Sequence, residues 1–191
     1  IEGVNVSHHY IQMLWHLRNI SEHLEFNRNK TYFEIGGGFG SFVHCLLENY
    51  NKVRKVIYLD IPPTLYIGTQ YLRSFYGDAV KDYTELCTKT KISFKDDDSL
   101  EIFCIASWQI EKLRCKIGLF HNANSFIEMP KSIIENYVKF VKRLMSENGS
   151  ISLISYETVE PKAITPWGTF KSAATYDPTA LLKIFNFRKE Y

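Results

Sequence analysis

The chain has 191 residues, 45% of them hydrophobic and 23% charged, which suits one domain with a full core and excludes a disordered segment. Its net charge of +2 and scattered lysines give no electrostatic footprint for nucleic acid or a membrane surface, and no apolar run approaches the roughly 20 residues of a membrane span. Cys45, Cys87, Cys104 and Cys115 lack C-x-x-C spacing and a histidine at zinc-ligand distance, so we expect free thiols, a reducing cytoplasmic compartment and no metal. The start, Ile1-Glu2-Gly3, has neither an initiator Met nor a signal peptide, so a fragment or trimmed chain is expected.

Residues 7–25 read as an amphipathic helix, with Tyr10, Leu14, Leu17, Ile20 and Leu24 at three- and four-residue steps. Its histidines, His8, His9, His16 and His23, are expected at the surface. Residues 1–29 are taken as this helix packed on the core, and residues 30–191 as the rest of a single domain. A strand follows over 31–35, then a helix over 41–50 with Phe42, Val43, Leu46 and Leu47 inward. A second strand covers 55–60, and a helix over 63–75 follows Pro62-Pro63. Residues 77–99 are polar and mixed, with Asp96-Asp97-Asp98 as a solvated turn. A third strand (101–106), a short helix (108–114) and a fourth strand (117–121) precede a helix over 131–147. That helix carries Ile133, Ile134, Tyr137, Val138, Val141, Leu144 and Met145 on one face and ends at Asn148-Gly149. A fifth strand covers 150–157. A Pro/Gly loop with Pro161, Pro166 and Trp167-Gly168 follows, then a helix from Asp177-Pro178 and at most one strand, at Phe185 to Tyr191.

Alternating strands and helices predict an α/β fold, a mostly parallel central sheet with helices on both faces. In such sheets ligands bind beyond the carboxyl ends of the strands, near the reversal of strand order. Glu34 through Gly40, Asp60, Ser107-Trp108 and His121-Asn122 all fall at such ends.

Two of these ends carry specific chemistry. Gly36, Gly38 and Gly40 alternate between a strand and a helix start, where a backbone free of Cβ atoms can approach a nucleotide-like ligand. Asp60 ends the second strand about 20 residues later, the spacing of a carboxylate that binds both ribose hydroxyls. Asp before proline is also a good helix cap, and the two roles can coexist. In a dinucleotide-binding loop the third glycine would fall where Ser41 stands, and a hydrophobic residue would replace Glu34.

An acid before G-x-G-x-G resembles motif I of the class I S-adenosylmethionine-dependent methyltransferases. Two further blocks narrow the resemblance: Leu59-Asp60-Ile61-Pro62 with Tyr71-Leu72 in the next helix, and Asn122-Ala123-Asn124-Ser125-Phe126-Ile127-Glu128-Met129. Together they are similar to the sugar O-methyltransferase family of bacterial polysaccharide clusters, over about residues 30–155. The resemblance implies a Rossmann-like class I methyltransferase fold and S-adenosylmethionine as cofactor. It implies cofactor roles for Glu34, Gly36, Gly38 and Asp60, beside which Gly40 is a cofactor candidate from the turn alone, and a sugar or glycan hydroxyl, free or lipid-linked, as acceptor. A complete sheet of that class has seven strands, so a truncated carboxyl-terminal edge is expected.

Methyl transfer to a hydroxyl is helped by a general base. His121 and Glu128 are the candidates. His121 can also be a packing residue, and Glu128 can also be charge at a helix start. Asn122 and Asn124 can hydrogen-bond the cofactor's amino-acid end or the sugar, or cap the loop. Trp108 and Ile61 can flank the adenine, and Tyr156, Trp167 and Phe170 can line a sugar site, Trp167 foremost. A nicotinamide-dependent oxidoreductase and a non-catalytic cofactor-binding module are the competing readings.

Overall fold

The computed structural model describes residues 6–26, 30–155, 162–165 and 168–171. Its helices are α1 (His8–Ser21), α2 (Ser41–Asn49), α3 (Pro62–Tyr76), α4 (Tyr83–Cys87) and α5 (Lys131–Leu144). Its strands are β1 (Thr31–Ile35), β2 (Lys55–Asp60), β3 (Val80–Lys81), β4 (Glu101–Ala106), β5 (Ile117–Ala123), β6 (Met145–Ile154), β7 (Lys162–Thr165) and β8 (Gly168–Lys171).

Six strands form one sheet in the order β3-β4-β2-β1-β5-β6, and every pairing in it is parallel. The connection from β1 runs to β2 on one side and that from β5 to β6 on the other, so the reversal lies between β1 and β5. Every residue of β2 and β4 is buried, as expected for central strands covered on both faces. Alternate side chains divide between two cores. Tyr32, Val56, Tyr58, Ile102 and Leu119 pack under α1, α2 and α3. Phe33, Ile35, Ile57, Phe103 and Phe120 pack under α5 and the turns beside it. Lys55 and Glu101 oppose each other in register at the amino ends of β2 and β4 and pair at 2.9 Å, which accounts for two charges inside buried strands.

Several boundaries depart from the sequence expectation. The polar stretch 77–99 contains β3 and α4, elements too short to show a period. The helix expected over 108–114 is a 3-10 segment, Ser107–Lys112. α5 stops at Leu144 and β6 begins at Met145, so Asn148-Gly149 lies within a strand rather than ending a helix. His16 lies on the buried face of α1 instead of at the surface, and burial lowers its pKa. Leu14, expected inward, is exposed. Among the described residues beyond 160 there are two strands, β7 and β8, paired antiparallel with each other rather than joined to the main sheet. Tyr156, Trp167 and the segments expected at Asp177-Pro178 and Phe185 to Tyr191 lie outside the described residues, as does the side chain of Phe170. Among the described residues, no helix is long and apolar enough to cross a membrane.

Candidate functional site

The turn between β1 and α2 sits at the reversal of strand order. Gly36, Gly38 and Gly40 have φ of 75°, 60° and 85°, the left-handed region where a side chain is strained. They differ in what a side chain would meet. A Cβ at Gly36 would collide with Ser125 Oγ, so that glycine lets the loop after β5 close on β1. A Cβ at Gly40 would press on Leu72 of α3 at 2.9 Å. Nothing lies within 4 Å of a Cβ built on Gly38, so the turn presents open space there.

Gly37 was not singled out by the sequence, and its φ is not left-handed. It is glycine because a Cβ would lie 2.8 Å from the Tyr58 ring and 2.9 Å from the Glu34 carboxyl. Tyr58, also missed, is fully buried in β2. Its hydroxyl donates to the Gly38 carbonyl, while the Gly38 N–H donates to Asp60 Oδ2 at 2.9 Å. Gly68 of α3 leaves room for the same hydroxyl. A tyrosine among aliphatic strand residues reads as core, so only its distance from the ends of the apolar run hints at a polar task.

Asp60 ends β2 and accepts a second bond from the Ile61 N–H, to Oδ1 at 2.7 Å. Burial raises its pKa, opposed by these two backbone bonds. Ile61, the N-cap of α3, and Trp108, after β4, are both 58% exposed. Asp60 and Ala106 are register partners, so these two apolar side chains flank neighbouring strand ends.

Glu34 is 2% exposed, and its Oε2 has no hydrogen-bond partner. Burial pushes the carboxyl up to about 8; the nearby Tyr32 hydroxyl opposes the shift and the Asp60 charge adds to it. Among the described residues neither Glu34 nor Asp60 pairs with a cation.

Across the reversal, Asn122 fastens β5 to β1. Its Nδ2 donates to the Ile35 carbonyl at 2.8 Å and to Ser125 Oγ at 2.6 Å, and its Oδ1 accepts from the Phe126 N–H at 3.3 Å. Asn124 takes a left-handed φ of 62°, and its Oδ1 is buried without a partner. Glu128 closes the 3-10 turn Ser125–Glu128 and is exposed.

His121 is placed elsewhere. β5 extends to Ala123, so His121 lies inside the strand, 1% exposed, with its ring stacked on Phe42 at 4.4 Å. Its Nδ1 is 3.1 Å from Ser152 Oγ and its Nε2 has no partner. Burial, aided by His16, lowers its pKa to about 3. The ring is neutral and turned toward the α1–α2 side of the sheet. The turn, Asp60, Ile61, Trp108, Asn122, Asn124 and Glu128 are thus gathered at one end of the sheet, and His121 is not among them.

No protein-family model matches the chain, and no curated protein does. Solved structures do. The mitomycin 7-O-methyltransferase MmcR superposes with a TM-score of 0.59 at 12% identity, over 90% of this chain and 47% of its own. The pyocyanin biosynthetic protein PhzM gives 0.57 at 12%, over 91% and 47%. PigF, solved with S-adenosylhomocysteine, gives 0.50 at 13%, over 86% and 46%. The chain spans about half the length of these proteins. It has the Rossmann-like fold of the class I methyltransferases.

Proposed function

We propose that the chain is an S-adenosylmethionine-dependent O-methyltransferase acting on a sugar hydroxyl. The observation that carries the cofactor is the glycine turn, with Gly38 held by Asp60 and Tyr58 while the space over it stays open. The residues fit such a ligand. Asp60 retains lone pairs for ribose hydroxyls, since each oxygen accepts one backbone bond. Ile61 and Trp108 offer exposed apolar faces for a purine, and Glu34 supplies an uncompensated acid beside the turn for a cation. Gly36, Gly40 and Asn122 act through shape, by holding β1, β5 and α3 close around that space.

Bound there, S-adenosylmethionine would supply an electrophilic methyl carbon on a sulfonium: an acceptor oxygen would form the new C–O bond in line as the C–S bond breaks, and S-adenosylhomocysteine would leave. The protein's part is to align the acceptor and remove its proton. Glu128 is the base we assign, because it is exposed on the turn after β5, at the ligand end. His121 faces the interior, and its low pKa leaves little basicity. Asn124, with an unpartnered Oδ1, is suited to accept a bond from an acceptor hydroxyl. Sugar as the acceptor class is supported by the Asn122-to-Met129 block, and Trp167 is proposed to stack on it. MmcR is by name an O-methyltransferase, which supports oxygen as the acceptor atom.

Calorimetry with S-adenosylmethionine, S-adenosylhomocysteine and NAD tests the cofactor. The first two should bind and NAD should not; binding of NAD alone would overturn the reading in favour of an oxidoreductase. Methyl transfer to glycans, set against phenolic acceptors, then tests the acceptor. Cofactor binding without transfer to any hydroxyl would favour a non-catalytic module.

A further inference from the structure

A cavity of about 480 Å³ lies at the opposite end of the sheet from the glycine turn. Four stretches of chain line it: the start of β1, the start of β2, the loop 94–98 and the residues that enter β5. Cations that are scattered in sequence meet there. Lys30, Lys55, Lys95, Arg114 and Lys116 line the cavity, and so do Asp96, Asp97 and Asp98.

The acids leave part of this charge unmatched. Asp98 is taken by Lys30 Nζ at 2.8 Å. Asp97 Oδ1 accepts from Lys55 Nζ at 3.0 Å and from the Ser99 N–H and hydroxyl. Lys55 is also held by Glu101 Oε2, which accepts the Lys95 N–H at 2.7 Å. Among the described residues Lys95, Arg114 and Lys116 pair with no carboxylate, and Asp96 is the one lining acid without a cation.

The walls are fixed without help from these three cations' charges. The Ile92 N–H donates to the Lys112 carbonyl at 2.9 Å, and the Arg114 N–H donates to the Ile92 carbonyl at 2.7 Å. That bridge holds the loop of Lys95 beside the segment of Arg114 and Lys116. Arg114 Nη1 donates to the Glu111 and Leu113 carbonyls at 2.7 and 2.8 Å, which orients the guanidinium through one nitrogen and leaves Nη2 and Nε to the other side. Phe94 also lines the cavity, and its ring is stacked on Phe103 at 4.3 Å. Like charges gathered round a concavity repel one another and focus a field that an anion relieves.

We propose that this cavity is a second ligand site, for a phosphate ester carried on a ring compound, a sugar phosphate or a nucleotide. The phosphate oxygens accept from the Lys95 and Lys116 ammonium groups and from the free side of the Arg114 guanidinium, donors that suit a compact dianion. The ring lies against Phe94, whose stacking on Phe103 keeps it in place. A metal cation is the poorer match, because two of the three aspartates are already engaged by lysines. The site and the glycine turn stand at opposite ends of the same strands, so the proposal does not depend on what binds over Gly38.

Calorimetric titration at low salt with glucose 1-phosphate, uridine monophosphate and inorganic phosphate tests this. At least one ester should bind saturably and several-fold more tightly than inorganic phosphate, and added salt should weaken it. The tighter ester names the source, sugar or nucleotide. A double variant, Lys95→Gln with Lys116→Gln, replaces two exposed side chains. It should weaken the ester about tenfold or more, while melting and S-adenosylmethionine affinity stay as in the wild type. Four results each overturn the proposal: no saturable binding of either ester, no preference over inorganic phosphate, equal affinity in the double variant, or displacement of the bound ester by S-adenosylmethionine, which would put the ester at the glycine turn. The ligand comparison uses the wild type alone, so it stands even if the double variant fails to fold.

Discussion

Asp60 and Gly38 are joined across 22 residues of chain by a hydrogen bond from the Gly38 N–H to Asp60 Oδ2, 2.9 Å long. The other end of the same glycine is taken by the Tyr58 hydroxyl. One strand therefore grips both polar groups of the central residue of the turn. The loop is shaped before any ligand arrives, and a preorganised loop forfeits less entropy on binding.

This grip makes Asp60→Asn informative. Asparagine keeps one oxygen acceptor for the turn but loses the charge and one of the two acceptor atoms. A charge-assisted hydrogen bond contributes roughly 1.5–3 kcal/mol, so affinity for S-adenosylmethionine should fall about tenfold or more. Melting should also shift downward, because Gly38 or Ile61 loses an acceptor. Unchanged affinity with an unchanged melting curve would remove Asp60 from the ribose.

Gly37→Ala and Gly38→Ala should fail in different ways. At Gly37 the new methyl meets the Tyr58 ring and the Glu34 carboxyl inside the fold, an overpacking that typically destabilises by roughly 1–3 kcal/mol. At Gly38 the methyl meets nothing, and the penalty is the left-handed backbone alone, about 1–2 kcal/mol. The stability losses are comparable. The second methyl, however, points into the space assigned to the ligand, so a larger valine at 38 should abolish cofactor binding. A Gly38→Val protein that folds and binds normally would show that no ligand approaches the turn from that side.

The sheet was legible because its central strands are short, mostly apolar runs, with glycine after β1 and aspartate closing β2 at the ligand end. β3 and α4 were not, since two and five residues are too few to display a period of 2 or 3.6. The site was half legible. Gly36, Gly38, Asp60 and Asn122 stand where strand-end logic puts them. His121 does not, because β5 runs two residues past the expected end and the strand's alternation turns its ring inward. Gly37 and Tyr58 were illegible for another reason. Their importance is a mutual contact between residues 21 apart, and no local pattern encodes it.

Glu128→Gln separates alignment from proton transfer. Glutamine preserves size and hydrogen bonding but cannot take a proton. If Glu128 is the base, turnover should fall roughly 10²–10⁴-fold while cofactor affinity stays close to normal. His121→Asn should change turnover much less, because the native ring faces Phe42 rather than the ligand end. Single-turnover methylation with both variants decides between them. Loss of turnover in His121→Asn together with full activity in Glu128→Gln would reverse the assignment.

Glu34 and His121, register partners on β1 and β5, should shape the pH dependence of stability from opposite sides. For His121 the folded pKa, about 3, lies below the ordinary 6.5. Between those values the unfolded chain holds the proton and the folded chain does not. Its contribution is therefore present above 6.5 and is lost as pH falls toward 3. For Glu34 the folded pKa, about 8, lies above the ordinary 4.5, so its contribution is complete below 4.5 and is lost as pH rises through 8. Each group acting alone gives a slope of up to about 1.4 kcal/mol per pH unit. The two slopes oppose each other between 4.5 and 6.5, and there stability should be nearly level with respect to this pair. Above that window Glu34 acts unopposed, so wild-type melting should fall between about pH 6.5 and 8, and Glu34→Gln should flatten the fall. Below about pH 4.5 His121 acts unopposed, and His121→Asn should flatten the acid limb instead. Melting temperatures measured across this range for the wild type and both variants supply the check. Variant curves that run parallel to the wild type on both limbs would mean that neither group is held in the protonation state its burial dictates.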